Sequence, residues 1–223
     1  MTRLRVPLIC CLAVLLVVAG CVSSTPSQPN PGSPAPARTT GTPALPAIVD
    51  AGYRLRYGWA VPVGAVSIEH EVRPPAAPPP QPPLPYLVEI STADHPEADP
   101  AFSRISFGFR SGFPGYRVSY VPQVVFAGSG EPLDLPGNCF LQVRFVRAQA
   151  HDEYGRVSVQ RSPDPDLGYL YLRGYGFAGD FEGQVTYGLG VQTAAGPDQV
   201  LPLRIGESTR DGLHLIVVDL GYG

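Results

Sequence analysis

The residue placed for the most sharply defined chemical step is Cys21, which closes the run Val18-Ala19-Gly20-Cys21. Arg3 and Arg5 precede an apolar run over residues 6–19. That run falls short of the ~20 apolar residues a bilayer span wants, and it has the size and flanks of a cleavable signal segment. Small residues ahead of the cysteine let a peptidase reach the backbone, and the thiol is the nucleophile that lipid transfer requires. Read as a bacterial lipobox, the motif makes 1–20 a signal peptide and Cys21 the lipid-bearing first residue of the mature chain, on the outer face of the cell membrane. The competing reading is an ordinary secretory signal cut near a cysteine. The polar, proline-rich stretch that follows favours the lipobox.

Two polar loops carry the other candidates, His95-Pro96-Glu97 and His151-Asp152-Glu153. If they met, His95, His151 and Asp152 would offer imidazole and carboxylate to a ligand, or to a metal in a hydrolase or metal-dependent enzyme. Structural zinc sites show paired Cys or His spacings, and the chain has neither CxxC nor HxxxH. It also lacks GxSxG, HExxH and a phosphate loop. The expectation is therefore a non-enzyme without catalytic residues, metal or cofactor. Arg104, Arg117 and Arg144 alternate with apolar residues and face outward. Were their strands adjacent, they would form a cationic surface flanked by Tyr116 or Tyr120, suited to carboxylate-bearing glycan peptides or anionic polymers. Cross-strand pairing with Asp or Glu is the competing use. Cys10 and Cys11 lie in the apolar segment and leave with it, so Cys139 has no intramolecular partner. It reads as a buried small hydrophobe; a reactive thiol would need a neighbouring histidine and an electropositive setting.

Composition narrows the class. The chain has 223 residues, 16 basic against 19 acidic, and none of the basic ones is lysine. Nucleic acid, which wants clustered positive charge, is excluded as a partner. Residues 22–47 are mostly Ser, Thr, Pro, Ala and Gly, too little apolar surface to offset chain entropy. Residues 21–50 are expected to be a disordered tether, about 25–30 Å end to end as a flexible coil. A second proline tract spans 74–85. Residues 51–85 are then a strand arm and spacer, and 86–223 the main domain. Whether 51–73 joins the main sheet stays open; the marginal stability of an isolated hairpin favours joining.

Period-two alternation predicts strands over 53–59, 65–72, 86–92, 105–109, 116–120 with 124–126, 141–145, 157–160, 169–172, 185–191, 201–205 and 213–220. His70 shares the apolar face of its strand and reads as a structural histidine. Gly188 and Gly190 on one face of a strand signal close approach by a neighbour. The last strand is apolar on both faces and is expected to be central. No segment shows a helical period. The expected fold is all-β, a β-sandwich or partly closed barrel of short, mainly antiparallel strands.

Four stretches carry a family resemblance: Phe113-Pro114-Gly115-Tyr116-Arg117-Val118-Ser119-Tyr120-Val121; Gly128-Ser129-Gly130-Glu131-Pro132-Leu133-Asp134-Leu135; His151-Asp152; and the run from Ala178-Gly179-Asp180-Phe181 through Gly190. Together they resemble the AMIN-like domain of actinobacterial envelope lipoproteins. The related AMIN domains of cell-wall amidases and secretins are small β-sandwiches that help localise their proteins in the envelope through peptidoglycan. The resemblance implies a non-catalytic envelope module with peptidoglycan, another envelope polymer or an envelope protein as partner. It carries over no catalytic residue.

Overall fold

The computed structural model describes residues 52–72, 84–194, 196 and 199–222. The signal segment, Cys21, the tether and most of the second proline tract lie outside the described residues. Ten strands are formed: β1 (Arg54–Ala60), β2 (Val66–Ile68), β3 (Tyr86–His95), β4 (Phe102–Arg110), β5 (Gly115–Val121), β6 (Cys139–Val146), β7 (Leu172–Phe181), β8 (Gln184–Val191), β9 (Leu203–Arg210) and β10 (Leu213–Gly221). They make two five-stranded sheets, ordered β1-β9-β10-β4-β3 and β2-β5-β6-β8-β7. Every strand pairing is antiparallel. The fold is an open β-sandwich rather than a barrel.

Alternation explains the layers. Ile105, Phe107 and Phe109 of β4 and Ile216, Val218 and Leu220 of β10 face inward. They meet Val118, Leu141, Val143, Phe145, Val185 and Leu189 of the second sheet. Phe145 meets Phe107 and Phe109 edge-on at 5.0 and 4.8 Å between ring centroids. Each of these buried rings contributes about 1.5–3 kcal/mol of burial. β10 is central, between β9 and β4, as its two apolar faces require. The segment 52–72 does join the domain, and it joins both sheets: β1 pairs with β9 in one and β2 with β5 in the other.

Four strand expectations are corrected. The strand placed at 169–172 begins only at Leu172 and runs to Phe181. Gly174, Gly176 and Gly179 weaken its β signal, and the turn before β8 is set by Glu182 and Gly183 at φ 50° and 73°. The stretches 124–126 and 157–160 form only isolated bridges, Val125 to Pro132 and His151 to Val157. The strand expected over 65–72 is confined to Val66–Ile68.

The glycines that obscure β7 have a physical role. Gly174 and Gly176 with Gly188 and Gly190 of β8 form a bare stripe on the outer face. The loop after β5 lies on it with Val124, Leu133, Leu135 and Pro136. A methyl group at Gly190 would overlap the Pro136 carbonyl oxygen. Gly190→Ala is therefore expected to destabilise by at least about 1–3 kcal/mol, the range for overpacking. Gly58→Ala, where a methyl meets nothing within 4 Å, should leave the thermal unfolding midpoint nearly unchanged.

Candidate functional site

Arg104 stands on the outer face of the first sheet, and its partner comes from the far end of the chain. Asp219 of β10 lies directly opposite Arg104 of β4 on one side and Arg204 of β9 on the other. Arg104 donates to it through Nε at 2.6 Å and Nη2 at 3.0 Å, and Arg204 through Nε at 2.9 Å and Nη2 at 2.6 Å. Asp219 is fully buried beneath them. Aromatic rings close the tier: Phe102 lies 5.3 Å from both guanidiniums and Trp59 4.7 Å from that of Arg204. His95 stacks on Phe102 at 4.4 Å. Burial works against the Arg104 charge, but the Asp219 hydrogen bonds and charge outweigh it and hold its pKa above the ordinary value. Thus the structure brings His95 and Arg104 together through Phe102, in a tier whose guanidiniums are already committed to a carboxylate.

Arg117 and Arg144 are elsewhere. Their strands β5 and β6 belong to the second sheet, so the joint surface expected from three arginines is not formed. Tyr116 and Tyr120 do not flank it either. Both point inward, Tyr116 donating to Glu207 and Tyr120 to the Leu201 carbonyl at 3.0 Å. Burial pushes both phenol pKa values up. What remains is a pair of like charges: Arg117 and Arg144 are direct cross-strand partners, both exposed. Among the described residues neither forms an ion pair; Arg144 donates to Gln142 at 3.3 Å. Glu69 lies beside Gly115 instead. Like charges directly opposite cost stability, so this pair is not explained by the fold.

His95 and His151 do not converge. The backbone N–H of Leu87 donates to Gln149 at 2.9 Å, so the His151 loop lies against the start of β3. His95 ends the same strand, about 26 Å along from Leu87 at ~3.3 Å per residue. His151 Nδ1 is held by Asp180, a carboxylate on β7 whose Oδ2 also accepts the Ala150 N–H at 2.7 Å. Its Oδ1 is buried without a partner. Asp152 turns into its own loop. It pairs with Arg156 at 2.7 Å and accepts the backbone N–H groups of Tyr154 and Arg156 at 2.9 Å. The Arg156 hydrogen bond, followed by those backbone donors, lowers its pKa. Among the described residues no group of three or more His, Cys, Asp or Glu side chains is placed to hold a metal ion. Cys139 is buried in β6, and burial raises its thiol pKa, the opposite of an activated nucleophile.

Two features were not foreseen. Glu207 lies on the inner face of β9 and is 3 % exposed. It accepts from Tyr116 at 2.9 Å and His70 at 2.7 Å, and Arg56 Nε sits 2.8 Å from its other oxygen, paired in charge but not aligned to donate. At that separation His70 Nε2 donates to the carboxylate, so the same nitrogen has no lone pair to accept from Arg56 Nη2, 3.4 Å away. His70 also stacks on Phe113 at 5.4 Å, a structural histidine as its strand face suggested. An acid at an inward position of an alternating strand was the available signal. The second feature is a largely apolar groove of about 460 Å³ between β7, β8 and the 157–165 segment, with Tyr175, Phe177, Tyr187, Val157, Pro163 and Pro165 among its walls.

Two antiparallel sheets packed through an apolar core, with Glu207 as the charged group on an inner strand face, define an all-β sandwich module. The chain belongs to the AMIN-like domain family, whose model matches residues 85–220. Comparison with curated proteins and with solved structures gives no match. The arm that adds an edge strand to each sheet lies before the matched residues.

Proposed function

We propose that the protein is a lipid-anchored, non-catalytic module of the cell envelope that binds cell-wall polymer or an envelope protein. The observation that carries this reading is its membership of the AMIN-like family over 85–220. The uncompensated pair Arg117 and Arg144 supplies the chemistry. Two planar guanidiniums on one exposed strand pair suit bidentate contact with carboxylates or phosphates of peptidoglycan or an attached anionic polymer. The lipid on Cys21 would hold the domain at the outer face of the membrane, with 22–47 as the tether. The enzyme alternative needed the His95 and His151 loops to meet, and they lie at opposite ends of β3.

The anchoring half of the proposal has its own test. Cys21→Ser is expected to move the protein from the membrane fraction to the soluble fraction of the expressing cells. A variant that stays with the membranes would refute lipidation at Cys21. Binding to wall polymer is tested by cosedimentation of the full chain with purified cell wall.

A further inference from the structure

The register of the second sheet sets four side chains in one row across its outer face. Ser67 of β2 lies opposite Arg117 of β5, Arg117 opposite Arg144 of β6, and Arg144 opposite Thr186 of β8. At about 4.8 Å per strand the row spans ~14 Å. Its two central members are cations and its two outer members carry hydroxyls. Among the described residues, the side chains of Ser67, Arg117 and Thr186 make no hydrogen bond or ion pair, and Arg144 makes one hydrogen bond, to Gln142 in the next row. Glu69, beside Gly115, pairs with neither arginine.

The anion that suits this row must serve two guanidiniums at once. A carboxylate is planar with two oxygens, hence one O–O edge, and a single arginine fork takes that edge whole. The second guanidinium then stays unmatched. Two separate carboxylates would serve both forks but bring their own like-charge repulsion to a site about 5 Å wide. A phosphate monoester has three terminal oxygens, hence three such edges, and about −1.5 to −2 charges at neutral pH. It presents one edge to each guanidinium and offsets both charges. A phosphate diester keeps only two terminal oxygens and a single charge.

We infer that Arg117 and Arg144 form a phosphomonoester site, taking a terminal phosphate carried on a sugar. Ser67, exposed at one end of the row, meets the sugar hydroxyls, and the buried Thr186 closes the other end. The inference rests on the reading of this face as the wall-binding surface, and it narrows the ligand from anions in general to phosphate monoesters of the wall.

The test is calorimetric titration of the detergent-solubilised full chain, at neutral pH and low salt, with glucose 6-phosphate, glucuronate and malonate. These offer a phosphate monoester, one carboxylate and two close carboxylates. Glucose 6-phosphate is expected to bind at least tenfold more tightly than either carboxylate, the worth of one further charge-assisted contact. Arg117→Ala and Arg144→Ala, each at an exposed position, should separately remove that preference. Gln142→Glu keeps both arginines but sets a carboxylate within reach of Arg144, and should weaken glucose 6-phosphate at least tenfold. Equal binding of the three compounds, or a preference that survives loss of either arginine, would overturn the inference. Retention on purified cell wall should also fall at least tenfold once alkaline phosphatase has removed the wall's phosphate monoesters. Equal retention on treated and untreated wall would overturn the inference and leave wall binding standing. No retention on either wall would contradict wall binding, and the titration alone then decides the phosphate site.

Discussion

Asp219→Ala is expected to lower the unfolding free energy by about 3 kcal/mol, the low end of the range for removing one partner from a buried ion pair. The carboxylate is fully buried and both guanidiniums that cover it are about 30 % exposed, at 31 % and 27 %. Their partial access to water keeps the loss near the lower bound. Most of the effect comes from leaving two like charges adjacent on the sheet. Asp219→Asn retains an acceptor and should cost less. Adding Arg204→Met to Asp219→Ala should recover part of the loss, a coupling that a double-mutant cycle measures directly. Trp59, the single tryptophan, stacks on Arg204, so its fluorescence reports the tier locally during urea unfolding. A loss under 1 kcal/mol would show that the tier is held by its rings alone.

Glu207→Ala is expected to cost a similar amount, about 3 kcal/mol, because it strands the buried Tyr116 hydroxyl and the partly buried Arg56 charge together. The consequence should be local as well as global. Arg56 belongs to β1 and His70 follows β2, so the carboxylate ties the N-terminal arm to both sheets. Hydrogen exchange of the amides in 54–60 should speed up in Glu207→Ala far more than that of β10. Glu207→Gln, which still accepts from Tyr116, should lie between the two. Unchanged exchange in β1 would mean that strand pairing with β9 alone secures the arm.

Much of the sandwich was legible because period-two alternation is a local signal. β4, β5, β6, β8 and β10 announce their inward residues one by one, and the apolar faces of β10 place it centrally. β7 was hidden because its alternate positions are glycine. Those glycines make sense only once the loop bearing Leu133 and Pro136 lies on them, a contact formed in three dimensions. The site failed for a related reason. Alternation says which residues of a strand share a face, but not which sheet the strand joins. Arg104, Arg117 and Arg144 are all outward, yet β4 lies in one sheet and β5 and β6 in the other. The partner of Arg104 stands 115 residues away, beyond any spacing rule. Asp219 did leave a trace, a lone carboxylate in the most apolar strand, as did Glu207 at an inward position.

Binding to wall polymer through the second sheet is the central claim, and cosedimentation of the full chain with purified cell wall tests it most directly. The wild-type chain should be retained at low salt and released as salt rises. Arg117→Ala with Arg144→Ala should bind at least tenfold more weakly. Arg54→Ala with Arg110→Ala, which removes the same charge from exposed positions outside that face, should bind like the wild type. Equal retention of the wild type and the Arg117/Arg144 variant, or no retention of either, would contradict the account.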